Sequence, residues 1–147
     1  MSDSKIKFKI ITPEKTVFEA EVDQATLPVT DGEVTILPDH RSYIASLKAG
    51  EIMLKTEGKE THLAMAGGFL EFDKNTLIVL ADRAERAEEI DLARAEEAKK
   101  RAEDLKKQKI LAGEEYARVA ALVEKEMARI RVAKKHRTRH GLTVDNQ

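Results

Sequence analysis

The chain has 147 residues, 36% of them charged and 4% aromatic, with a formal net charge of -1 and no cysteine. That length suits one ordinary domain or two small ones, and the lack of cysteine excludes a disulfide framework and thiol chemistry. No apolar run approaches the ~20 residues of a transmembrane helix, and the polar start Met1-Ser2-Asp3-Ser4 is not a signal peptide; the expectation is a soluble chain that meets a membrane only through other proteins.

In chain order, Ile6, Phe8 and Ile10 alternate with Lys5, Lys7 and Lys9, so a strand there has one apolar and one basic face. Phe18, Ala20 and Val22 alternate with Glu19, Glu21 and Asp23 in the same way. Lysines opposite glutamates favour pairing these two strands, with Pro13-Glu14-Lys15 as the turn. Further short strands are predicted at residues 33–36, 43–47, 52–56, 61–66, 68–72 and 76–81, separated by turn formers such as Asp31-Gly32, Pro38-Asp39-His40, Ala49-Gly50 and Glu57-Gly58-Lys59. Many short strands argue for an antiparallel sandwich or barrel. The strand region carries no nucleophile elbow, no zinc-protease motif and no phosphate-cradling glycine loop; His40 and His62 each stand alone.

The spacing changes within residues 77–91. Leu77-Ile78-Val79-Leu80 reads as a buried strand, whereas from Ala84 onward proline vanishes and Ala, Glu, Lys and Arg dominate, the composition of helices. All three prolines, five of the seven glycines and five of the six aromatic residues precede Ala84. We therefore divide the chain into a strand domain at 1–84, a helical hairpin at 85–135 and a basic tail at 136–147. Charge divides similarly: 10 Lys/Arg face 14 Asp/Glu up to Arg83, and 16 face 13 beyond it, with no acidic residue between Met127 and Val144.

In the second part, Asp82-Arg83-Ala84-Glu85 and then Asp91 offer successive helix starts. The main helix is placed from about Leu92, with a thin stripe of Leu92, Ala95, Ala98, Ala102 and Leu105. Ala112-Gly113 turns the chain, and Tyr116, Val119, Val123, Met127 and Ile130 form a second stripe. Two such helices pack antiparallel, and alanine buries little area at ~25 cal/mol per Å², so the hairpin is expected to be weakly held and able to open. Asp91, Arg94 and Arg101 share one face of the first helix, and Lys125 and Arg129 one face of the second. Converging cations of this kind can hold phosphate oxygens; by spacing alone, solvated faces with ordinary salt bridges are the plainer reading. His136 and His140 are four apart, without an apparent third metal ligand.

Three runs carry a resemblance: Leu27-Pro28-Val29-Thr30-Asp31-Gly32-Glu33-Val34-Thr35-Ile36-Leu37-Pro38-Asp39-His40, then Ala64-Met65-Ala66-Gly67-Gly68-Phe69-Leu70-Glu71-Phe72, then Val79-Leu80-Ala81-Asp82-Arg83-Ala84-Glu85. In this order they resemble the epsilon subunit of bacterial F-type ATP synthases, from Ile6 to about Lys135. Thr35 and Asp39 stand where that family usually has glycine, so the loop geometry is expected to differ locally. The resemblance implies an α+β protein: a ten-stranded antiparallel β-sandwich followed by an antiparallel two-helix hairpin. It implies a non-catalytic rotor subunit on the cytoplasmic face of the bacterial membrane, with the sandwich joining the gamma subunit to the c-ring through Glu33 and His40. Ile90-Asp91-Leu92-Ala93-Arg94-Ala95 is similar to the motif of epsilon subunits that bind ATP, which implies a regulatory ATP site of Glu85, Ile90, Asp91, Arg94, Ala95, Arg101, Lys125 and Arg129. Lys125 stands where an arginine is usual. Extended, the hairpin would meet acidic surfaces of the catalytic alpha and beta subunits through Arg118, Arg129, Arg131, Lys134 and Lys135 and hinder hydrolysis. Two other readings fit the residues: a free-standing ATP-sensing module, and a nucleic-acid-binding protein with a basic helical arm.

Overall fold

The computed structural model describes residues 4–108 and 112–139. Ten strands come first: β1 (Ile6–Ile11), β2 (Thr16–Val22), β3 (Gln24–Val29), β4 (Gly32–Ile36), β5 (Tyr43–Leu47), β6 (Gly50–Thr56), β7 (Lys59–Met65), β8 (Gly68–Asp73), β9 (Thr76–Ala81) and β10 (Ala84–Arg86). A 3-10 turn at Ala87–Glu89 then leads into α1 (Leu92–Gln108) and α2 (Glu114–Arg139).

The strands run β10-β7-β6-β3-β5-β8-β9-β1-β2, with β4 added to β3. β3 is where this path folds over: its first half, Gln24 to Thr26, pairs with β6, and Val29 alone pairs with β5. The result is two layers whose inner faces interdigitate, as in sandwiches generally. Ile52, Leu54, Leu63 and Met65 of one layer share a core with Phe8, Ile10, Leu70, Phe72, Leu77 and Val79 of the other. Neighbours are antiparallel except β1 and β9, which run parallel with Phe8 beside Leu77 and Ile10 beside Val79. β1 and β2 pair in the expected register, Lys7 opposite Glu21 and Lys9 opposite Glu19.

Two strands are not visible in residue spacing. β3 contains Pro28, which lacks an N–H and argues against an interior strand. Pro28 sits where one edge of β3 is changing partners, and its carbonyl accepts a hydrogen bond from the Lys48 amide at 3.1 Å. β10 replaces the first predicted helix start at Asp82-Arg83-Ala84-Glu85. Ala84, Glu85 and Arg86 instead pair with Met65, Ala64 and Leu63 of β7. An open edge of β7 offers three residues of ladder, and that outweighs a helix propensity of a few tenths of a kcal/mol per residue.

The helices pack antiparallel through small side chains. Ala95 and Ala102 of α1 and Ala128 of α2 are buried, as expected for α1, although Ala98 is half-buried and Leu105 is exposed. The predicted stripe of α2 is not its deepest face: Tyr116 is exposed, and Val119, Val123, Met127 and Ile130 are half-buried. The deepest residues are Glu126, Ala128, Val132 and Ala133, because α2 also lies against the sandwich. The helix continues through His136 to Arg139; His140 and the rest of the tail lie outside the described residues.

Candidate functional site

α2 docks on the outer face of the β10–β7–β6 layer of the sandwich through a small apolar cluster. Val132 and Ala133 meet Ala64 of β7, Ala87 of the 3-10 turn, and Ile90 and Leu92 at the start of α1, with Ile130 at the margin. Ionic contacts flank it. The Arg129 guanidinium donates from Nε to Glu85 Oε2 at 2.6 Å, from Nη2 to Glu85 Oε1 at 3.2 Å and from Nη1 to Glu126 Oε2 at 2.7 Å. Lys125 Nζ lies 3.4 Å from Glu126 Oε1. Burial works against the Arg129 cation, but hydrogen bonds to Glu85 and Glu126 more than offset it and hold the group above its ordinary value.

Beside this cluster lies a cavity of about 510 Å³, walled by the β1–β2 turn (Thr12, Pro13, Glu14, Lys15), Val17, the β9–β10 segment (Asp82, Arg83, Ala84, Glu85), Glu89, and Lys125 and Arg129 of α2. Of the residues expected around ATP, the structure gathers Glu85, Lys125 and Arg129 here. The others are placed elsewhere. Asp91 caps α1, accepting the Arg94 amide at 3.1 Å, with Arg94 Nε 3.7 Å from its other oxygen. The Arg94 side chain is 84% exposed, and Arg101 reaches Glu97 at 3.9 Å along its own helix. Ile90 and Ala95 are buried.

At the sandwich, Glu33 is exposed at the start of β4, opposite Pro28 of β3. His40 follows the far end of β4; its ring packs edge-on against Tyr43 and Phe72, and its Nδ1 lies 2.7 Å from the Arg41 carbonyl oxygen. The loop does not lose its left-handed turn for want of glycine, since Asp39 takes φ 64° itself. Asn75 of the β8–β9 turn holds it there, accepting the Asp39 amide at 2.7 Å and donating its own amide to Asp39 Oδ1 at 3.0 Å. Asp and Asn tolerate this conformation better than other non-glycine residues. Thr35 lies in β4 and shares a 2.9 Å hydrogen bond with Thr26.

Residue spacing missed an apolar outer face. Phe69 is 59% exposed and Leu80 54%, directly paired across β8 and β9, with Ile11 of β1 next to Leu80 and Ser46 of β5 next to Phe69. Ile44 of β5, 73% exposed, lies one row over with Ile78. The available signal was the unbroken run Leu77-Ile78-Val79-Leu80: a strand apolar on both faces is covered on both faces.

Of the cations expected to meet acidic surfaces, Arg118 and Arg131 are exposed. Lys134 approaches Glu96 of α1 at 3.7 Å, and Lys135 donates to Glu51 of β6 at 2.8 Å. Among the described residues no group of His, Asp and Glu could hold a metal ion, and no helix is long and apolar enough to cross a membrane.

A sandwich followed by two helices corresponds to the two domains of the family models that match. The ATP synthase delta/epsilon chain beta-sandwich domain matches residues 5–87, and the delta/epsilon long alpha-helix domain matches 88–134. An ATP synthase epsilon chain of Dehalococcoides mccartyi is 46% identical over 134 residues, 91% of this chain and 96% of that protein. One from Nitratidesulfovibrio vulgaris is 38% identical over 88% of this chain and 96% of its own. The chain belongs to the delta/epsilon family of ATP synthase subunits. The fold is shared with a chain of the Euglena gracilis mitochondrial ATP synthase, in a structure of its OSCP/F1/c-ring part (TM-score 0.72, 18% identity, 86% of this chain and 82% of that one). A chain of the Tetrahymena thermophila central stalk/c-ring structure is also similar (TM-score 0.57, 16% identity, 92% and 98%).

Proposed function

We propose that this chain is a non-catalytic rotor subunit of a proton- or sodium-translocating bacterial ATP synthase, working at the cytoplasmic face of the membrane. The sandwich joins the gamma subunit to the c-ring, and the hairpin is a brake on ATP hydrolysis. The observation that carries this reading is a division of labour between two surfaces. The sandwich offers an exposed apolar face around Phe69, Leu80 and Ile44, suited to a permanent partner, while the hairpin rests on a small cluster of mostly small side chains and on ion pairs. We assign the apolar face to gamma and Glu33 with the His40 loop to the ring. When the hairpin leaves the sandwich and its helices part, Arg129 and Lys135 lose Glu85 and Glu51 of the sandwich, Lys134 loses Glu96 of α1, and all three join Arg118 and Arg131 against acidic surfaces of the alpha and beta subunits, a contact weakened by salt. Deleting residues 87–147 is expected to raise hydrolysis by the reconstituted enzyme while assembly persists; unchanged hydrolysis removes the brake.

ATP is the regulatory ligand in this proposal and favours the folded hairpin. Its support is the motif from Ile90 to Ala95 and the cavity that brings Glu85, Lys125 and Arg129 together. Phosphate oxygens would replace Glu85 on the Arg129 guanidinium, while Asp91 and Arg94 lie outside that cavity. Calorimetric titration of the isolated protein with ATP, beside an Asp91→Ala/Arg94→Ala variant and an Arg129→Ala variant, tests this. Binding lost in both variants supports one site shared by the helices; binding lost only with Arg129 confines it to the cavity; no binding by the unaltered protein removes ATP from the mechanism.

A further inference from the structure

The outer face of β5, β8, β9 and β1 grades from apolar to charged along its strands. One row across it reads Ser46, Phe69, Leu80 and Ile11; the next reads Ile44, Glu71, Ile78 and Lys9; a third, at the β8–β9 turn, sets Asp73 beside Thr76 and Lys7. Glu71 of β8 is exposed and has apolar side chains on three sides: Ile44 across on β5, Ile78 across on β9, and Phe69 two residues back on its own strand, with Leu80 on the diagonal. Ile44 is 73% exposed and Phe69 59%, so the carboxylate lies within the part of the face that is open to a partner.

The chain does not neutralise this carboxylate itself. Among the described residues, no ion pair or side-chain hydrogen bond reaches Glu71. The lysine of its row, Lys9, is separated from it by Ile78 and stands opposite Glu19 of β2. Asp73, two residues further along β8, has the same sign and accepts a hydrogen bond from the Ser42 hydroxyl at 2.5 Å.

We infer that Glu71 is the charged anchor of this face and that gamma meets it with a basic side chain. This rests on the assignment of the face to gamma. A partner that closes over Phe69, Leu80 and Ile44 takes water from Glu71 as well, and a carboxylate leaves water at a large cost unless a cation pairs with it. A guanidinium suits the position best: it is weakly hydrated, its plane can lie against Ile44 and Ile78, and its donors can take both carboxylate oxygens. Strand geometry sets the spacing on gamma. Two residues of β8 span about 7 Å, so the basic group stands about 7 Å from the apolar group that covers Phe69 and Leu80. An apolar face alone accepts any apolar surface, whereas one fixed charge inside it selects the partner and its orientation.

The test is a binding titration of the full chain onto a complex of alpha, beta and gamma that lacks it, with Glu71→Gln, Glu71→Lys and Phe69→Glu/Leu80→Lys variants. Glu71→Gln keeps the size of the side chain and is expected to weaken binding about thirtyfold, and Glu71→Lys about tenfold more, the scale for losing or reversing one member of a desolvated charge pair. Thermal unfolding should be unchanged in both, because the position is exposed. Added salt should weaken the unaltered chain more than Glu71→Gln. Binding of Glu71→Gln within about twofold of the unaltered chain, or binding of Glu71→Lys as tight as that of Glu71→Gln, overturns the inference. If Phe69→Glu/Leu80→Lys loses binding while Glu71→Gln keeps it, the cation alone is overturned. If Phe69→Glu/Leu80→Lys keeps binding, the assignment of the face to gamma falls first and the anchor with it.

Discussion

Asp91 occupies the position before α1 and accepts the Arg94 amide, so the carboxylate that the proposed nucleotide motif contains is also a helix cap. The two roles separate by substitution. Asp91→Ala should lower the melting stability of the hairpin by about 1 kcal/mol, the usual cost of losing a cap. Asp91→Asn keeps an oxygen for the amide and should leave stability nearly unchanged in thermal unfolding, so any loss of ATP binding in that variant reports the charge alone. Asp39 makes a second residue-scale point. Its φ of 64° is one that most side chains avoid, and the Asn75 amide compensates. Asp39→Ala should be less stable than Asp39→Gly by about 1 kcal/mol in urea unfolding: both lose the bond to Asp39 Oδ1 and keep the backbone amide bond, but only alanine keeps the left-handed strain. The family resemblance identified the departure from glycine. It could not reveal Asn75, 36 residues away, which lets the loop keep the same turn.

At the scale of elements, α2 is held by its Val132–Ala133 face and by ion pairs on either side of it. Val132 is fully buried between α2 and the sandwich. Val132→Asp should therefore detach the hairpin while the strands remain folded. Hydrogen exchange is the check: protection should be lost along α2 and kept in β1, β8 and β9, because those strands belong to the separate sandwich core. Uniform loss of protection would mean that hairpin and sandwich fold as one unit. The periodicity of α1 was legible because a single face of it is buried, against α2. That of α2 misled because the helix has two neighbours, α1 and β7, and a stripe read at one angle describes neither.

For the whole molecule, the apolar outer face and the carboxylates under the end of α2 make separate predictions. Phe69→Glu combined with Leu80→Lys should leave the unfolding free energy within about 0.5 kcal/mol of the original, as exposed positions generally do. It should weaken capture of the chain by gamma by at least tenfold in a pull-down titration. Preserved capture would move the gamma contact to another surface. In acid, Glu51 and Glu60 matter together. Their folded-state values lie below the ordinary 4.5, so the stability they contribute is fully present above that value and is lost as pH falls through the depressed ones. Labels on the hairpin should report its release below about pH 4.5 before near-ultraviolet dichroism reports loss of the sandwich.

Several features were determined by the chain alone: the strand-then-helix order, the Lys/Glu pairing of β1 with β2, the start of α1 after Asp91, and the family itself. Each depends on interactions between residues near in sequence, or on motifs that keep their spacing. The tertiary structure alone decided that β10 is a strand, that Pro28 sits inside one, that α2 buries Val132 and Ala133, and that His62 faces Glu51, Glu60 and Arg139. All of these depend on which edge or face the fold brings alongside. A free edge of β7 overrides local helix propensity, and a histidine that is solitary along the chain gains its chemistry from residues 11 and 77 positions away.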